Sequence, residues 1–459
     1  MLFNSVEFLL FFLPAAIIIY RFADPHPRAR LPVLIGLSLA FYSYWDPRFL
    51  PLMIVSIVSN WCVAWYYVRT RRGVIITLAI VGNLLALAVF KYSFFFAQNV
   101  NSLTGYQPPY WHLALPLGIS FFTFHHVMYL VDLKRGRAPM YPLDRYALYI
   151  CFFPQAIAGP LARWNEVMEQ FGRRAFAPGW EKRCAIGAMF IVLGLMQKVL
   201  LADPLAQAID PVYAQAAAGP LKSGEAWMAL GFAFQVFFDF AGYSDIAIGL
   251  GLIFNVALPR NFDAPFRTTS LLEFWQRWHM TLARFLRDYV LTPISNSGIG
   301  GRQYRITRLL VAMLITMALC GLWHGAGWTY VLWGTLQGVG LIFAAVWRRY
   351  LPSPPAIIGW ALTVSYFALT VVLFRAPSLE AAWNVFAGLA VWPASAPRGL
   401  PVLVVAMLCA FLLPASHDIV NRLTERPRAG VAFAAAVVAA FCVLEIGNGT
   451  PVNFIYFQF

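Results

Sequence analysis

Long apolar runs follow one another along this chain with only short interruptions, and they decide what it can become. They lie at about 6–20, 31–45, 50–67, 74–96, 115–133, 184–201, 226–254, 306–322, 327–347, 356–374, 400–416 and 430–447. A helix needs about 20 apolar residues to cross the hydrocarbon core of a bilayer. In that core every backbone N–H and C=O must be satisfied internally, which favours helices. Composition agrees: 60% of residues are hydrophobic, 16% aromatic and only 12% charged. A water-soluble domain carries about 25% charged residues, so too little polar surface remains to cover a soluble globule. The expectation is an all-α, polytopic integral membrane protein with about 11–12 transmembrane helices. Length alone would suggest about three soluble domains. One bundle can absorb the whole chain, however, and 1–459 is read as a single domain.

The excess of basic residues gives a net charge of +14. It is not gathered on one arm, as a nucleic-acid binder would have it; it falls in short clusters between apolar runs. Arg21, Arg28 and Arg30 follow the first run, Arg69, Arg71 and Arg72 the third, and Lys134, Arg135 and Arg137 the fifth. Arg348 and Arg349 follow the ninth, and Arg422, Arg426 and Arg428 the eleventh. Between them, 97–114 has no Lys or Arg, and 202–225 has only Lys222 beside Asp203, Asp210 and Glu225. This alternation places the N-terminus outside the cytoplasm and the basic loops inside. The first run lacks a basic n-region and a small-residue cleavage site, so it reads as a retained membrane helix.

Two segments differ in kind. Residues 146–160 are apolar but short and contain Pro154, Gly159 and Pro160, which suggests a re-entrant element sheltered by protein. Residues 273–290 place Phe274, Trp278, Leu282, Phe285 and Tyr289 on one helical face and Arg277, Arg284, Arg287 and Asp288 opposite. That pattern suits a helix lying at the membrane–water boundary.

The six cysteines form no C-x-x-C pair and read as small buried hydrophobes. Of the seven histidines, His26 and His417 lie in loops and His112 in the 97–114 loop. His125 and His126 are adjacent and point about 100° apart on a helix. No H-x-x-x-H or H-E-x-x-H spacing occurs, so no metal site is expected. His324 stands out within Cys320-Gly321-Leu322-Trp323-His324-Gly325-Ala326-Gly327-Trp328, between two apolar runs. An ionisable residue at membrane depth is a functional candidate. Gly321, Gly325 and Gly327 remove bulk around it, so helices or a ligand can approach. A neutral imidazole is the form a general base needs. The alternative is a histidine that only hydrogen-bonds a neighbouring helix. Asp239 and Asp245, six residues apart in Phe237 to Asp245, do not share a face unless Gly242 breaks the helix. A secondary transporter would rest on these two carboxylates, but no internal repeat is visible.

Several stretches together resemble a known family. They are Glu273-Phe274-Trp275-Gln276-Arg277-Trp278-His279 with Arg287-Asp288-Tyr289, then Gly321-Leu322-Trp323-His324-Gly325-Ala326. Supporting them are Leu115 to Phe121, Phe153-Pro154-Gln155 with Ala158-Gly159-Pro160, Phe238 to Asp245, and the ending Phe454-Ile455-Tyr456-Phe457-Gln458-Phe459. In this order they resemble the membrane-bound O-acyltransferase superfamily, and within it the alginate O-acetylase type. The resemblance implies re-entrant and interfacial helices around a central tunnel, with a thioester donor such as acetyl-CoA arriving from the cytoplasm. No bound cofactor is implied.

His324 matches the family's catalytic histidine, expected to act as general base, and His279 its second characteristic histidine, expected to position or contact the donor. Trp278, Arg287, Asp288, Trp323 and Asp239 are expected around the donor tunnel. The resemblance further implies a bacterial inner membrane location, membrane lipid around the chain, and acetyl passed to an exported or cell-surface polysaccharide. A separate periplasmic acetyltransferase or polysaccharide-export partner is expected, because no hydrophilic domain is visible. D-alanyl transfer to teichoic acid-type polymers is the alternative within the same fold. The stretch after Tyr289 and the pair His125-His126 depart from the alginate pattern, which leaves the polymer open.

Overall fold

The computed structural model describes residues 1–108, 114–221, 224–299, 301–392, 396–425, 428–449 and 454–455. His112, Lys222, Arg426 and Tyr456 lie outside the described residues. Among those described, all regular structure is helical.

Among the described residues, eight helices are long and apolar enough to cross a membrane: Pro47–Thr70, Gly73–Thr104, Trp180–Ala218, Ala226–Ile253, Arg305–His324, Trp328–Tyr350, Ala356–Arg375 and Ala429–Asn448. Leu400–Leu412 and Ser416–Glu425, bent by 73°, make a ninth if taken as one broken span. The apolar runs had suggested 11–12. The shortfall has a geometric cause: runs near 31–45 and 115–133 form the helices Pro27–Ser43 and Ile119–Lys134, of 17 and 16 residues. At 1.5 Å per residue these reach only about 25 Å, short of the roughly 30 Å hydrocarbon thickness. Residues 143–156 form two short buried helices, Leu143–Cys151 and Phe153–Ala156, neither able to span. The Lys- and Arg-poor stretch after 201 is helical as far as Ala218. A wide π-type turn, Met196–Ala202, leads into Asp203–Ala218, with Pro204 in its first turn, where a missing N–H is tolerated.

The helices assemble two compact units from interleaved segments. One contains Met1–Leu195, Tyr243–Arg260 and Val420–Pro451; the other contains Met196–Gly242, Asn261–Ile419 and Val452–Phe459. In the first, Phe8, Phe41 and Phe153 meet ring to ring, and His126 is held between Ser56 Oγ at 2.9 Å and Tyr146 Oη at 2.6 Å. Asp24, buried at the end of its helix, accepts the backbone N–H groups of Ala175 and Phe176. In the second, the helices Arg305–His324 and Trp328–Tyr350 cross at glycines. A Cβ on Gly321 would overlap the Tyr330 carbonyl oxygen and lie 3.0 Å from the Gly334 Cα. Both positions therefore require glycine for backbone to meet backbone.

The 273–290 segment is not one helix at a boundary. It is broken into Leu271–Arg277 and Met280–Leu286, followed by the π-type turn Arg287–Leu291. At the break His279 takes the left-handed conformation, φ +41°. The periodicity expected for a single amphipathic helix is real, but Phe274, Trp275, Trp278, Leu282 and Phe285 are buried in protein.

Candidate active site

His324 is the last residue of its membrane helix and is 5% exposed. Three aromatic rings enclose it in edge-on contact: Trp323 at 4.6 Å between centroids, Phe374 at 5.0 Å and Trp333 at 5.5 Å. Of the glycines expected to let helices or a ligand approach, two serve the protein's own atoms. Gly321 receives the Tyr330 backbone, and Gly325 lies under the Tyr330 ring. The walls of the His324 site are thus main chain and aromatic rings.

Two tryptophans continue the wall. Trp275 donates its indole N–H to Gln337 Oε1 at 3.3 Å, and Gln337 donates in turn to Thr370 Oγ1 at 2.6 Å. Its neighbour Trp333, at 6.1 Å between rings, is 3% exposed, and its indole N–H has no hydrogen-bond partner among the described residues. A buried donor left unsatisfied costs about 1–3 kcal/mol, so it is poised for an acceptor that enters the site.

From Trp275 the ring contacts run to Phe274, then Trp278, Phe262, Phe240 and finally His279. His279 is thereby joined to His324 through continuous aromatic packing within one unit. The left-handed turn that carries it is fixed by Asn261. The Asn261 carboxamide oxygen accepts from His279 Nδ1 at 3.0 Å, from the Thr281 hydroxyl at 2.9 Å and from the Thr281 backbone N–H at 3.3 Å. A backbone N–H can only donate, so the carboxamide oxygen is the atom facing it. That makes Nδ1 the protonated nitrogen of a neutral His279 and leaves the lone pair on Nε2. Burial pulls the His279 pKa down to about 3, so the ring is neutral at physiological pH.

The remaining expected residues divide. Trp323 lies against His324, whereas Trp278 is a core wedge between Phe274, Phe262 and Phe367. Arg287 and Asp288 pair with each other at 2.7 Å with side chains 61% and 28% exposed. Asp239 is 2% exposed and bound to the ammonium of Lys198 at 2.6 Å. Gly242 does not break the Phe232–Ile253 helix, so Asp239 and Asp245 project about 120° apart and form no carboxylate pair. Sequence reasoning missed Asn261, Trp333, Gln337 and Lys198. Only Lys198 left a clear signal, as a cation inside an apolar run.

Comparison with known proteins matches this arrangement to one family. The family model described as MBOAT, membrane-bound O-acyltransferase, matches residues 62–378, a span that includes both histidines. The chain is 34% identical over 428 residues to a peptidoglycan O-acetyltransferase of Helicobacter pylori, covering 85% of this chain and 80% of that protein. It is 36% identical over 398 residues to the "Probable alginate O-acetylase AlgI" of Pseudomonas aeruginosa, covering 84% and 74% respectively. A teichoic acid D-alanyltransferase of Streptococcus thermophilus is 30% identical over 238 residues, covering 51% and 57%. This multi-pass membrane protein is an O-acyltransferase and belongs to the membrane-bound O-acyltransferase family.

Proposed function

We propose that this chain moves acetyl from a cytoplasmic thioester, acetyl-CoA, to a hydroxyl of an exported or cell-surface glycan, with His324 as general base. The observation that carries the reading is the placement of His324: a buried imidazole at the end of a membrane helix, boxed by three rings, with the spare Trp333 donor beside it. The acceptor oxygen attacks the thioester carbonyl carbon as His324 takes its proton. A C–O bond forms, the C–S bond breaks, and the proton passes to the departing thiolate. Positive charge developing on the ring falls at a helix C-terminus, where the dipole favours it. The Trp333 N–H is available to the carbonyl oxygen as negative charge grows there. His279, neutral and fixed by Asn261, serves to position the donor.

Acetyl is favoured over D-alanyl because the two O-acetyltransferase relatives are 34% and 36% identical over more than four-fifths of the chain, whereas two teichoic acid D-alanyltransferases are 30% identical over 51% of it and 23% identical over 70%. Their names, peptidoglycan and alginate, both denote glycans, which supports a glycan acceptor. We further propose residence in a bacterial inner membrane and a separate periplasmic acetyltransferase or export partner working with this chain. The transport reading has no support from Asp239, which is held in an ion pair.

Radiolabelled acetyl-CoA supplied to protein in nanodiscs, with transfer to glycan acceptor scored, tests the assignment. Loss of a general base lowers turnover by about 10²–10⁴-fold, and His324→Ala is expected to do so while binding donor. Full transfer by a folded His324→Ala protein would overturn it.

A further inference from the structure

A second buried polar cluster lies in the same unit as the two histidines and has no part in the chemistry above. The Lys198 ammonium, on the Met196–Ala202 turn, contacts Asp239 Oδ1 at 2.6 Å and Asp203 Oδ1 at 2.7 Å. The other Asp239 oxygen, Oδ2, accepts the backbone N–H of Ile455 at 2.9 Å. Asp239 thus joins a buried cation to a main-chain N–H 216 positions further along the chain. Phe454 and Ile455 are 1% and 5% exposed. The Phe454 ring lies 5.7 Å from Phe240, the residue after Asp239, and Phe240 meets the His279 ring edge-on at 4.5 Å.

From these contacts we infer that the Lys198–Asp239 pair is a latch: it pins residues 454–455 behind Phe240 and so makes Asp239 a positioning residue for His279. Bringing charges out of water carries a penalty that their attraction repays only with good geometry and full hydrogen bonding. An apolar pair of the same volume would fill the space as well. What an apolar pair lacks is an acceptor for one particular N–H, and a directional acceptor is what fixes a short segment in one register. The ammonium holds Asp239 in one orientation, Asp239 holds Ile455, and Phe454 packs on Phe240. Without the latch Phe240 loses its backing and His279 its edge contact, although Asn261 still sets the tautomer. A wide π-type turn at Lys198 fits this assignment, since such turns recur at functional positions.

This inference rests on the proposed acetyl transfer for its functional consequence, and one readout is chosen to be independent of it. Full-length wild type, Asp239→Ala, Asp239→Asn and Ile455→Pro are placed in nanodiscs. Amide hydrogen exchange of the peptide containing 454–455 is measured beside acetyl transfer and the thermal midpoint. Asp239→Ala is expected to raise exchange at Ile455 about tenfold, the loss of one hydrogen bond. It is expected to lower kcat about 10²-fold with the donor KM little changed, as misplacement of a site group does. Asp239→Asn offers one oxygen where Asp239 uses two; turned to the Ile455 N–H it sets its NH2 against the Lys198 ammonium, so protection and rate are expected to recover only in part. Ile455→Pro removes the donor without disturbing the buried charges and is expected to reproduce the kcat loss, which guards against a misfolded Asp239→Ala. Unchanged protection in a folded Asp239→Ala protein, or released protection at unchanged kcat, would overturn the latch. If wild type transfers no acetyl, the activity reading fails, and the exchange data still decide whether Asp239 holds the segment.

Discussion

Asn261→Ala tests whether one carboxamide organises the His279 turn. Its oxygen accepts from three buried donors, His279 Nδ1, the Thr281 hydroxyl and the Thr281 backbone N–H. Each buried donor left unsatisfied costs about 1–3 kcal/mol, or roughly 3–9 kcal/mol if all three stay bare. A water admitted to the space would restore one or two bonds, leaving an expected loss of about 3–5 kcal/mol. That is a large share of the roughly 5–15 kcal/mol that holds a typical domain together. The left-handed backbone at His279 adds to the effect, because a non-glycine residue persists there only while its surroundings enforce it. Denaturant unfolding of detergent-solubilised protein, followed by tryptophan fluorescence, measures the loss. Thr281→Val removes one of the three donors and is expected to cost about 1 kcal/mol in wild type but less on the Asn261→Ala background, since the two share a bond. A loss below about 1 kcal/mol for Asn261→Ala, with acetyl transfer intact, would refute the claim that this oxygen sets the turn.

Two further expectations concern the same unit. Gly321→Ala drives a methyl into the Tyr330 carbonyl at the helix crossing. It is expected to destabilise by about 1–3 kcal/mol and to lower turnover through the displaced His324, read by thermal midpoint and transfer rate together. His279 should make stability fall in acid. Its pKa drops from 6.5 unfolded to about 3 folded, so the unfolded chain binds a proton the folded chain refuses. The stabilisation is complete above about pH 6.5 and declines as pH falls toward 3, by about 2 kcal/mol at pH 5. Thermal midpoints from pH 7 to 5 should show that decline, and His279→Asn, which cannot ionise, should lessen it by the His279 share only, because buried His125 and His126 are shifted the same way.

Membrane class and helix content were legible because each is a local property, and His324 could be picked out as a candidate for the same reason. A polar residue in an apolar run announces itself, and the motif around it supports the family. The break at His279 was not legible: the 273–290 periodicity fits an uninterrupted helix, and the acceptor that stabilises the turn sits eighteen positions earlier at Asn261. Nor could hydropathy distinguish a spanning run from a short one buried in protein, as Ile119–Lys134 shows. Asp239 was visible as a buried charge, but its partners at 198 and 455 lie far away in sequence and define its role. The glycines near His324 leave room for either a neighbouring helix or a ligand as far as the sequence goes. Whether glycine makes a cavity or a contact depends on the facing element, here Tyr330 and Gly334.

The Gly321–Gly334 crossing also has a mechanical meaning. Where two backbones touch, a pair of helices can tilt but cannot slide apart, so the crossing acts as a fulcrum. His324 lies three residues from it, about 4.5 Å along the axis, while Arg305 at the other end lies about 24 Å away. A tilt of about 10°, of the kind a change in bilayer thickness imposes, would move the Arg305 end by about 4 Å but His324 by less than about 1 Å. The proposed base is therefore carried at the still end of its lever, insulated from the thickness of the surrounding lipid.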